Sequence, residues 1–206
     1  METSEFRSMS LVRLSKAGVA IPSTLPLLDE FAVRSVEEIL DRLLCLNAVA
    51  AVAHGFDREK ASAWLSQEGL LDNLTQGEHS LLLSGAGNLD AFKVQVEGMW
   101  ALAWVANIVA VLDPWRGCDP RFVTMLPDLK KAESSSTFRR SARLRNETEI
   151  GVECDLAYCL HWTLREAEMK GDRPPKGITP YVVVERRRAL EWAIGIDAWD
   201  MISLDT

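Results

Sequence analysis

The amino-acid sequence predicts an all-α fold, a single compact domain of about seven helices. Several segments begin with a capping sequence, in which Ser, Thr or Asn is followed three residues later by Glu, and end at a glycine. Between these ends, apolar residues recur at the spacing of a helix that buries one face. The chain has 206 residues, 48% of them hydrophobic, so residues 1–206 are expected to form one domain around one core.

The N-terminal part is expected to hold a helix, a connector and a second helix. Residues 5–17 place apolar side chains at helical spacing and are followed by a glycine that tolerates a left-handed turn. Two prolines exclude a helix from the connector at residues 21–26, because proline lacks the amide donor. Ser35 and Glu38 then form a capping box, and each can satisfy an amide of the helix start that would otherwise lack a partner.

Further helices are expected along the rest of the chain. They are predicted over residues 57–68, 75–84, 89–112, 146–171 and 179–195. The second half of the segment 89–112 is apolar nearly all round, so it must be buried on several sides. Val182–Val184 is the one place where a short strand pair could compete, since valine favours strands. The polar stretch 130–141 is expected to be the most mobile region.

The charge balance restricts the partners that the chain can bind. The net charge is -7 and the isoelectric point is near 5.1. Nucleic acids and anionic membranes need a basic surface, so neither is an expected partner. The first residues lack the pattern of a signal peptide, and no apolar run reaches the roughly 18 residues of a membrane span. We therefore expect a cytoplasmic protein whose partner is basic.

Two arginines, Arg34 and Arg145, each precede a capping sequence that opens a long helix. Glu38 and Glu149 are the acidic members of these two sequences. Because capping boxes are common, the pair does not require an internal repeat, and the simpler explanation is favoured. A cation next to a helix N-terminus is unfavourable unless a carboxylate answers it. Each arginine is therefore predicted to have an acidic partner, with the acids near the C-terminus as candidates.

Several short sequence motifs follow one another along nearly the whole chain. They are Gly18-x-x-Ile21-Pro22, Arg34-Ser35-x-Glu37-Glu38-Ile39, Leu144-Arg145-x-x-x-Glu149-Ile150, Tyr158-x-x-His161-Trp162-x-x-Arg165, Glu185-Arg186-x-x-Ala189-Leu190-x-Trp192 and Trp199-Asp200-x-x-x-x-Asp205-Thr206. In this order the motifs resemble the bacterial domain of unknown function family 4272. The resemblance implies a family and no reaction.

One helical face carries the side chains that are best suited to catalysis. Tyr158, His161 and Arg165 fall on one side of the helix predicted over residues 146–171. An enzyme, hydrolase-like, would use His161 as a general base oriented by Asp155 or Glu185, with Arg165 holding an anionic substrate. The alternative is that these side chains are core residues whose polar atoms are satisfied internally. The alternative is favoured, because the histidine belongs to no catalytic motif.

The acids near the C-terminus can also be interpreted in two ways, as metal ligands or as part of an anchored surface segment. Asp197, Asp200 and Asp205 could hold a hard cation through oxygen ligands, but no EF-hand spacing is present. Met201 stands where the family resemblance implies a second acid after Asp200, which weakens a two-carboxylate metal role. The favoured interpretation is a solvated or arginine-paired segment that Trp199 anchors to the core.

These observations favour a non-enzymatic protein that binds another protein. Within that class, the hypothesis is an immunity protein that neutralises a cognate bacterial toxin or effector. Asp29, Glu30, Glu37 and Asp41 would contribute to a negative surface field if exposed. The sequence contains no phosphate-binding loop, dinucleotide fingerprint or metalloprotease motif, so neither a cofactor nor a metal is expected. The oligomeric state stays open.

Overall fold

The structure, a computed structural model, describes residues 3–175 and 177–206. Within these ranges the regular elements are all helical and no strand occurs, which confirms the all-α prediction. Residues 182–184 lie inside a helix. The α-helices are α1 (Thr3–Lys16), α2 (Val36–Ala53), α3 (Arg58–Gln67), α4 (Gln76–Ser84), α5 (Leu89–Val94), α6 (Val96–Val105), α7 (Ser136–Ser141), α8 (Glu147–Lys170) and α9 (Pro180–Ile194). Short 3-10 turns occupy Leu71–Asn73, Phe122–Met125, Leu129–Lys131 and Trp199–Met201.

The helix expected over residues 89–112 is divided and shorter than predicted. It separates at Gln95 into α5 and α6, and α6 ends at Val105. Asn107 follows with φ 55°, a left-handed conformation that asparagine tolerates better than most residues. Arg143 and Arg145 donate backbone hydrogen bonds to the last carbonyls of α6, so another segment satisfies them and the helix stops. The polar stretch 130–141 contains the additional short helix α7.

The centre of the molecule is the pair α6 and α9, which pack against each other more extensively than any other two described helices. Helix α2 lies on α6, and α8 lies on α9. The apolar side chains of α6 are buried on all sides, as its sequence predicts. Two smaller cores flank this centre, one among α2, α3 and α4 and one between α1 and α8.

Two general expectations can be compared with the described residues. No helix among them combines the length and the hydropathy that crossing a membrane requires. All four cysteines are free thiols; Cys45, Cys154 and Cys159 are buried and Cys118 is half-buried. Burial raises the pKa of each of the four thiols, so all of them stay protonated near neutral pH.

Candidate functional site

Arg34 joins the start of α2 to the end of α9. Its backbone N–H donates to the carbonyl of Ala193 at 2.9 Å, and its Nε donates to the carbonyl of Trp192 at 2.8 Å. Its Nη2 donates to the carbonyl of Asp197 at 2.8 Å. The guanidinium lies 4.4 Å from the centre of the Trp192 ring, and Nη1 pairs with Glu38 at 3.3 Å. We call this set of contacts the Arg34 clamp.

Arg145 makes the same contacts between the start of α8 and the end of α6. Its backbone N–H donates to Val105 and its Nε to Trp104, both at 2.9 Å. Its Nη2 donates to the carbonyl of Val109 at 3.1 Å. The guanidinium lies 4.5 Å from the centre of the Trp104 ring, and Nη1 pairs with Glu149 at 3.0 Å. This set is the Arg145 clamp, and its members stand at the same spacings as those of the Arg34 clamp.

The two clamps are part of a wider correspondence between two halves of the fold. Helix α6 and the residues after it match α9 and the residues after it at one constant offset. The matching residues are Glu97 and Glu185, Ala101 and Ala189, Leu102 and Leu190, Trp104 and Trp192, Ile108 and Ile196, and Ala110 and Ala198. The helices pair crosswise, because α2 packs on α6 and begins at the end of α9, whereas α8 packs on α9 and begins at the end of α6.

This correspondence is stronger support for an internal repeat than the two capping boxes alone. Sequence reasoning missed it because it considered only the helix starts. The repeated spacing Glu-x-x-x-Ala-Leu-x-Trp-x-x-x-Ile-x-Ala was the signal that could have shown it.

Both clamp arginines have a carboxylate partner, as predicted. The partner is not one of the acids near the C-terminus that were the expected candidates. Glu38 and Glu149 belong to the helix that each arginine precedes, and their four-residue spacing places them within reach. The nearby acid Asp197 contributes its main-chain carbonyl to Arg34. Each arginine also lies at the C-terminal end of a second helix, where the helix dipole favours a cation. That position offsets the unfavourable one at the helix start.

His161 is a buried hydrogen-bond acceptor. It is 6% exposed, and its Nδ1 lies 2.7 Å from Nη1 of Arg187. Because arginine can only donate, Nδ1 accepts and the ring proton must reside on Nε2. Burial, followed by the positive charge of Arg187, lowers the pKa of His161 to about 4. The imidazole is therefore neutral at neutral pH, and its unprotonated nitrogen is already occupied.

Arg187 connects α8, α9 and the C-terminal segment. Its Nε donates to Glu191 at 2.7 Å. Its Nη1 and Nη2 donate to the carbonyls of Leu204 and Asp205 at 3.0 and 2.9 Å. Its guanidinium lies 4.8 Å from the centre of the Tyr158 ring. With His161, these contacts engage every nitrogen of the guanidinium, so Arg187 holds the C-terminal segment against the fold.

The acids proposed as partners of His161 lie in other contacts. Asp155 is fully buried and accepts from Nε and Nη2 of Arg7, which joins α1 to α8. Glu185 lies 3.6 Å from Nε of Arg188, and burial raises the pKa of its carboxyl. Arg165 is exposed and pairs with Glu168 on its own helix. The structure therefore does not bring His161, Asp155, Glu185 and Arg165 together.

The C-terminal residues show the arrangement of an anchored segment. Trp199 is 6% exposed, lies edge-on to Trp192 with centroids 5.8 Å apart, and receives Arg42 at 5.1 Å from its ring centre. Asp200 is exposed, and the side chain of Asp205 accepts from Ser203. In residues 3–175 and 177–206, no group of three or more His, Cys, Asp and Glu side chains is placed to hold a metal ion.

A buried ion pair that the sequence did not indicate fixes the loop after α6. Glu97 accepts from Nε and Nη2 of Arg186 at 3.0 and 2.7 Å and from the backbone N–H of Cys118 at 2.9 Å. Arg186 also donates to the carbonyls of Asp113 and Arg116. The pair is satisfied on both sides, which is the condition under which buried charges are tolerated. Its role is to position the loop.

One open groove lies apart from these internal contacts. It occupies about 660 Å³ where the first turn of α1, the connector before α2 and the first turn of α8 meet. Its lining residues are Thr3, Ser4, Phe6, Leu27, Glu30, Phe31, Glu147 and Thr148. We call it the acidic groove, because Glu30 and Glu147 are its charged residues and both are exposed.

Comparison with known proteins identifies the family. The family model described as Domain of unknown function (DUF4272) matches residues 7–202 of the chain, so the resemblance inferred from the motifs is confirmed. None of the curated proteins and none of the solved structures compared with the chain matches it.

Proposed function

Because the chain belongs to the family described as Domain of unknown function (DUF4272), whose description names no reaction, we propose its function from the charges and contacts of the fold. The proposal is a non-enzymatic binding protein, and within that class an immunity protein that neutralises a basic bacterial toxin or effector. The observation that carries it is the position of the negative charge.

Among the residues that the structure describes, the surplus negative charge lies outside the buried part of the fold. In that part of the chain four buried arginines are accompanied by four buried acids, so the charges of the buried residues balance. The arginines are Arg7, Arg42, Arg186 and Arg187, and the acids are Glu78, Glu97, Asp155 and Glu185. The net charge of -7 is thus carried by the partly and fully exposed residues. A surface field of this sign raises the rate of association with a basic partner.

The four acids expected to contribute to this field are not equivalent. Asp29, Glu30 and Glu37 are exposed. Asp41 is half-buried and forms an ion pair with Arg139 at 2.7 Å, so its charge is largely neutralised. The exposed three lie on the connector before α2 and on its first turn. Of these three, Glu30 also lines the acidic groove.

The enzyme hypothesis has less support from the geometry. It requires a base within hydrogen-bond reach of a carboxylate and of a substrate. Nδ1 of His161 is occupied by Arg187, and Asp155 is occupied by Arg7. Glu185 pairs with Arg188 on its own helix. A hydrolase-like site at His161 would have to dismantle two of these contacts first.

Co-expression with the product of the adjacent gene tests the proposal. The product should inhibit growth when expressed alone, and this chain should restore growth and co-purify with it as a stable complex. Because the proposed attraction is electrostatic, the affinity of the complex should fall as the salt concentration rises. Absence of both protection and a complex would contradict the immunity function.

A further inference from the structure

The acidic groove has the dimensions of a binding site for one or two side chains. Its volume of about 660 Å³ lies inside the usual range for ligand sites, roughly 300 to 1,000 Å³. Three separate elements form it, the first turns of α1 and α8 and the connector that carries Leu27 and Glu30. Packing between α1 and α8 positions two of these elements, so the groove is part of the rigid fold.

The floor of the groove is apolar and depends on a glycine. The rings of Phe6 and Phe31 lie there with centroids 6.0 Å apart and planes inclined by 42°. Both rings approach Gly151 of α8 so closely that a methyl group at that position would lie 2.8 and 2.9 Å from them. Leu27 adds an apolar side chain that is 45% exposed. Phe6 is only 4% exposed, so the apolar surface open to a partner is that of Leu27 and the half-buried Phe31.

The acids of the groove are available to a partner. Glu30 and Glu147 have neither an ion pair nor a hydrogen bond with any residue in the described ranges. In contrast, the acids of the two clamps, Glu38 and Glu149, are already held by arginine. Glu147 stands at the first position of α8, where the helix dipole offsets part of its charge. Glu30 should therefore attract a cation more strongly than Glu147 does.

The other half of the repeat has different residues at two positions that form this groove. At the position that corresponds to Glu147 it has Val36, and at the position that corresponds to Gly151 it has Leu40. Val36 packs against the main core and Leu40 is buried in it. The clamps show that the two helix starts need the same contacts to be joined to the fold. The acids and the open floor are thus a difference that joining the halves does not require.

We propose that the acidic groove binds a segment of the protein partner in which a lysine or arginine stands next to an aromatic or aliphatic residue. The apolar side chain would cover Leu27 and Phe31, and the cation would lie between Glu30 and Glu147. This inference rests on the proposed binding function and specifies where its partner docks.

A peptide titration tests the groove without knowledge of the partner. The probe is a capped peptide of sequence Leu-Lys-Phe-Arg-Leu, and the control peptide is Leu-Glu-Phe-Glu-Leu. Amide resonances of the 15N-labelled chain should shift at residues 27–31 and 147–151 with the basic peptide and not with the acidic one. Shifts confined to other surfaces, or no shift at low millimolar peptide, would overturn the inference.

A matched pair of double variants separates the groove from general charge. The variant E30Q/E147Q should weaken binding of the basic peptide about three- to tenfold, as expected for the loss of two exposed ion pairs. The variant E59Q/D72N removes the same charge from two other exposed positions and should change it less than about twofold. Equal losses in the two variants would contradict the groove as the site.

The partner distinguishes failure of the groove from failure of the proposed function. If the adjacent gene product binds the wild type and E30Q/E147Q equally, the groove inference fails and the binding function stands. If the basic peptide binds in the groove but no toxin is neutralised, the immunity function fails and the groove stands. Self-association that E30Q/E147Q abolishes would mean that the occupant is a second copy of this chain, which also overturns the inference.

Discussion

The two halves of the molecule share their clamps and the residue spacing of α6 and α9, and they differ in one polar cluster and one groove. Arg34 and Arg145 bind a tryptophan, two carbonyls of a helix end and a glutamate in the same way. The buried polar cluster of Arg187, Tyr158 and His161 occurs in one half only. At the corresponding positions the other half has Met99, Asn47 and Ala50. The shared contacts are those that join two helices, whereas the differing ones hold the C-terminal segment.

This difference teaches how to interpret a polar cluster in a repeated fold. A buried histidine beside an arginine resembles a catalytic site when it is considered alone. Its counterpart positions in the first half are occupied by methionine and alanine. The cluster is explained by the segment that it fixes. The acidic groove has no such internal use.

The largest effect should follow from making one half more like the other at its polar cluster. R187M introduces the residue of the first half and leaves His161, Glu191 and two carbonyls without their donor. Removing one member of a buried charged network costs about 3 to 5 kcal/mol, so the free energy of unfolding in urea should fall by that amount. R165M, at an exposed pair, should cost less than about 1 kcal/mol. Similar values for the two variants would contradict the role given to Arg187.

The clamps should prove equivalent when each is removed. R34A loses three side-chain hydrogen bonds and R145A loses four, in each case from a largely buried guanidinium, and each variant also loses a stacking contact with tryptophan. Each should lower the free energy of unfolding by about 2 to 4 kcal/mol. Lysine at either position should restore little, because it cannot donate to three acceptors in the same plane. A large loss in one variant and none in the other would break the correspondence of the halves.

A smaller effect should follow from closing the floor of the groove. G151A places a methyl group against Phe6 and Phe31, and overpacking of this kind costs about 1 to 3 kcal/mol. Thermal unfolding monitored by circular dichroism measures the loss. At temperatures where G151A is folded, it should bind the basic peptide more weakly than the wild type does. An unchanged melting temperature would show that the rings have room to move.

The smallest effect per pH unit should come from protonation of His161. Its pKa is about 4 in the folded chain against 6.5 without the fold, so the unfolded chain binds more protons between these values. Stability should therefore fall as the pH is lowered from about 6.5 towards 4, by no more than about 1.4 kcal/mol per pH unit. The raised pKa values of Glu185 and Glu191 act in the opposite direction, because these groups bind protons more readily when folded.

H161Q isolates the contribution of the histidine to this pH dependence. Glutamine can still accept from Arg187 through its side-chain oxygen and does not titrate. Chemical denaturation at several pH values should show a shallower decline for H161Q than for the wild type between pH 6.5 and 4. Parallel curves would mean that His161 is not held neutral by its surroundings.

The parts of the fold that depend on neighbouring residues could be predicted from the sequence. The starts of α2 and α4 follow from capping boxes whose members lie three residues apart, and both boxes form as expected. The end of α6 could not be predicted in this way, because the backbone before α8 satisfies its carbonyls. Apolar periodicity alone continued the helix to residue 112.

The same distinction applies to the candidate site. The glutamates that pair with the two clamp arginines are four residues away, so local reasoning could have found them. The tryptophans that stack on those arginines are distant in sequence, and so is Arg7, the partner of Asp155. Helical spacing placed Tyr158 and His161 on one face but could not show that Arg187 contacts both side chains. Long-range contacts of this kind need the folded chain.

The measurement that tests the proposed function and its site most directly is isothermal titration of the adjacent gene product with three forms of the chain. The wild type should bind, E30Q/E147Q should bind about three- to tenfold more weakly, and E59Q/D72N should stay within about twofold of the wild type. Equal affinity in all three forms would contradict the acidic groove as the docking site, and no binding by the wild type would contradict the function itself.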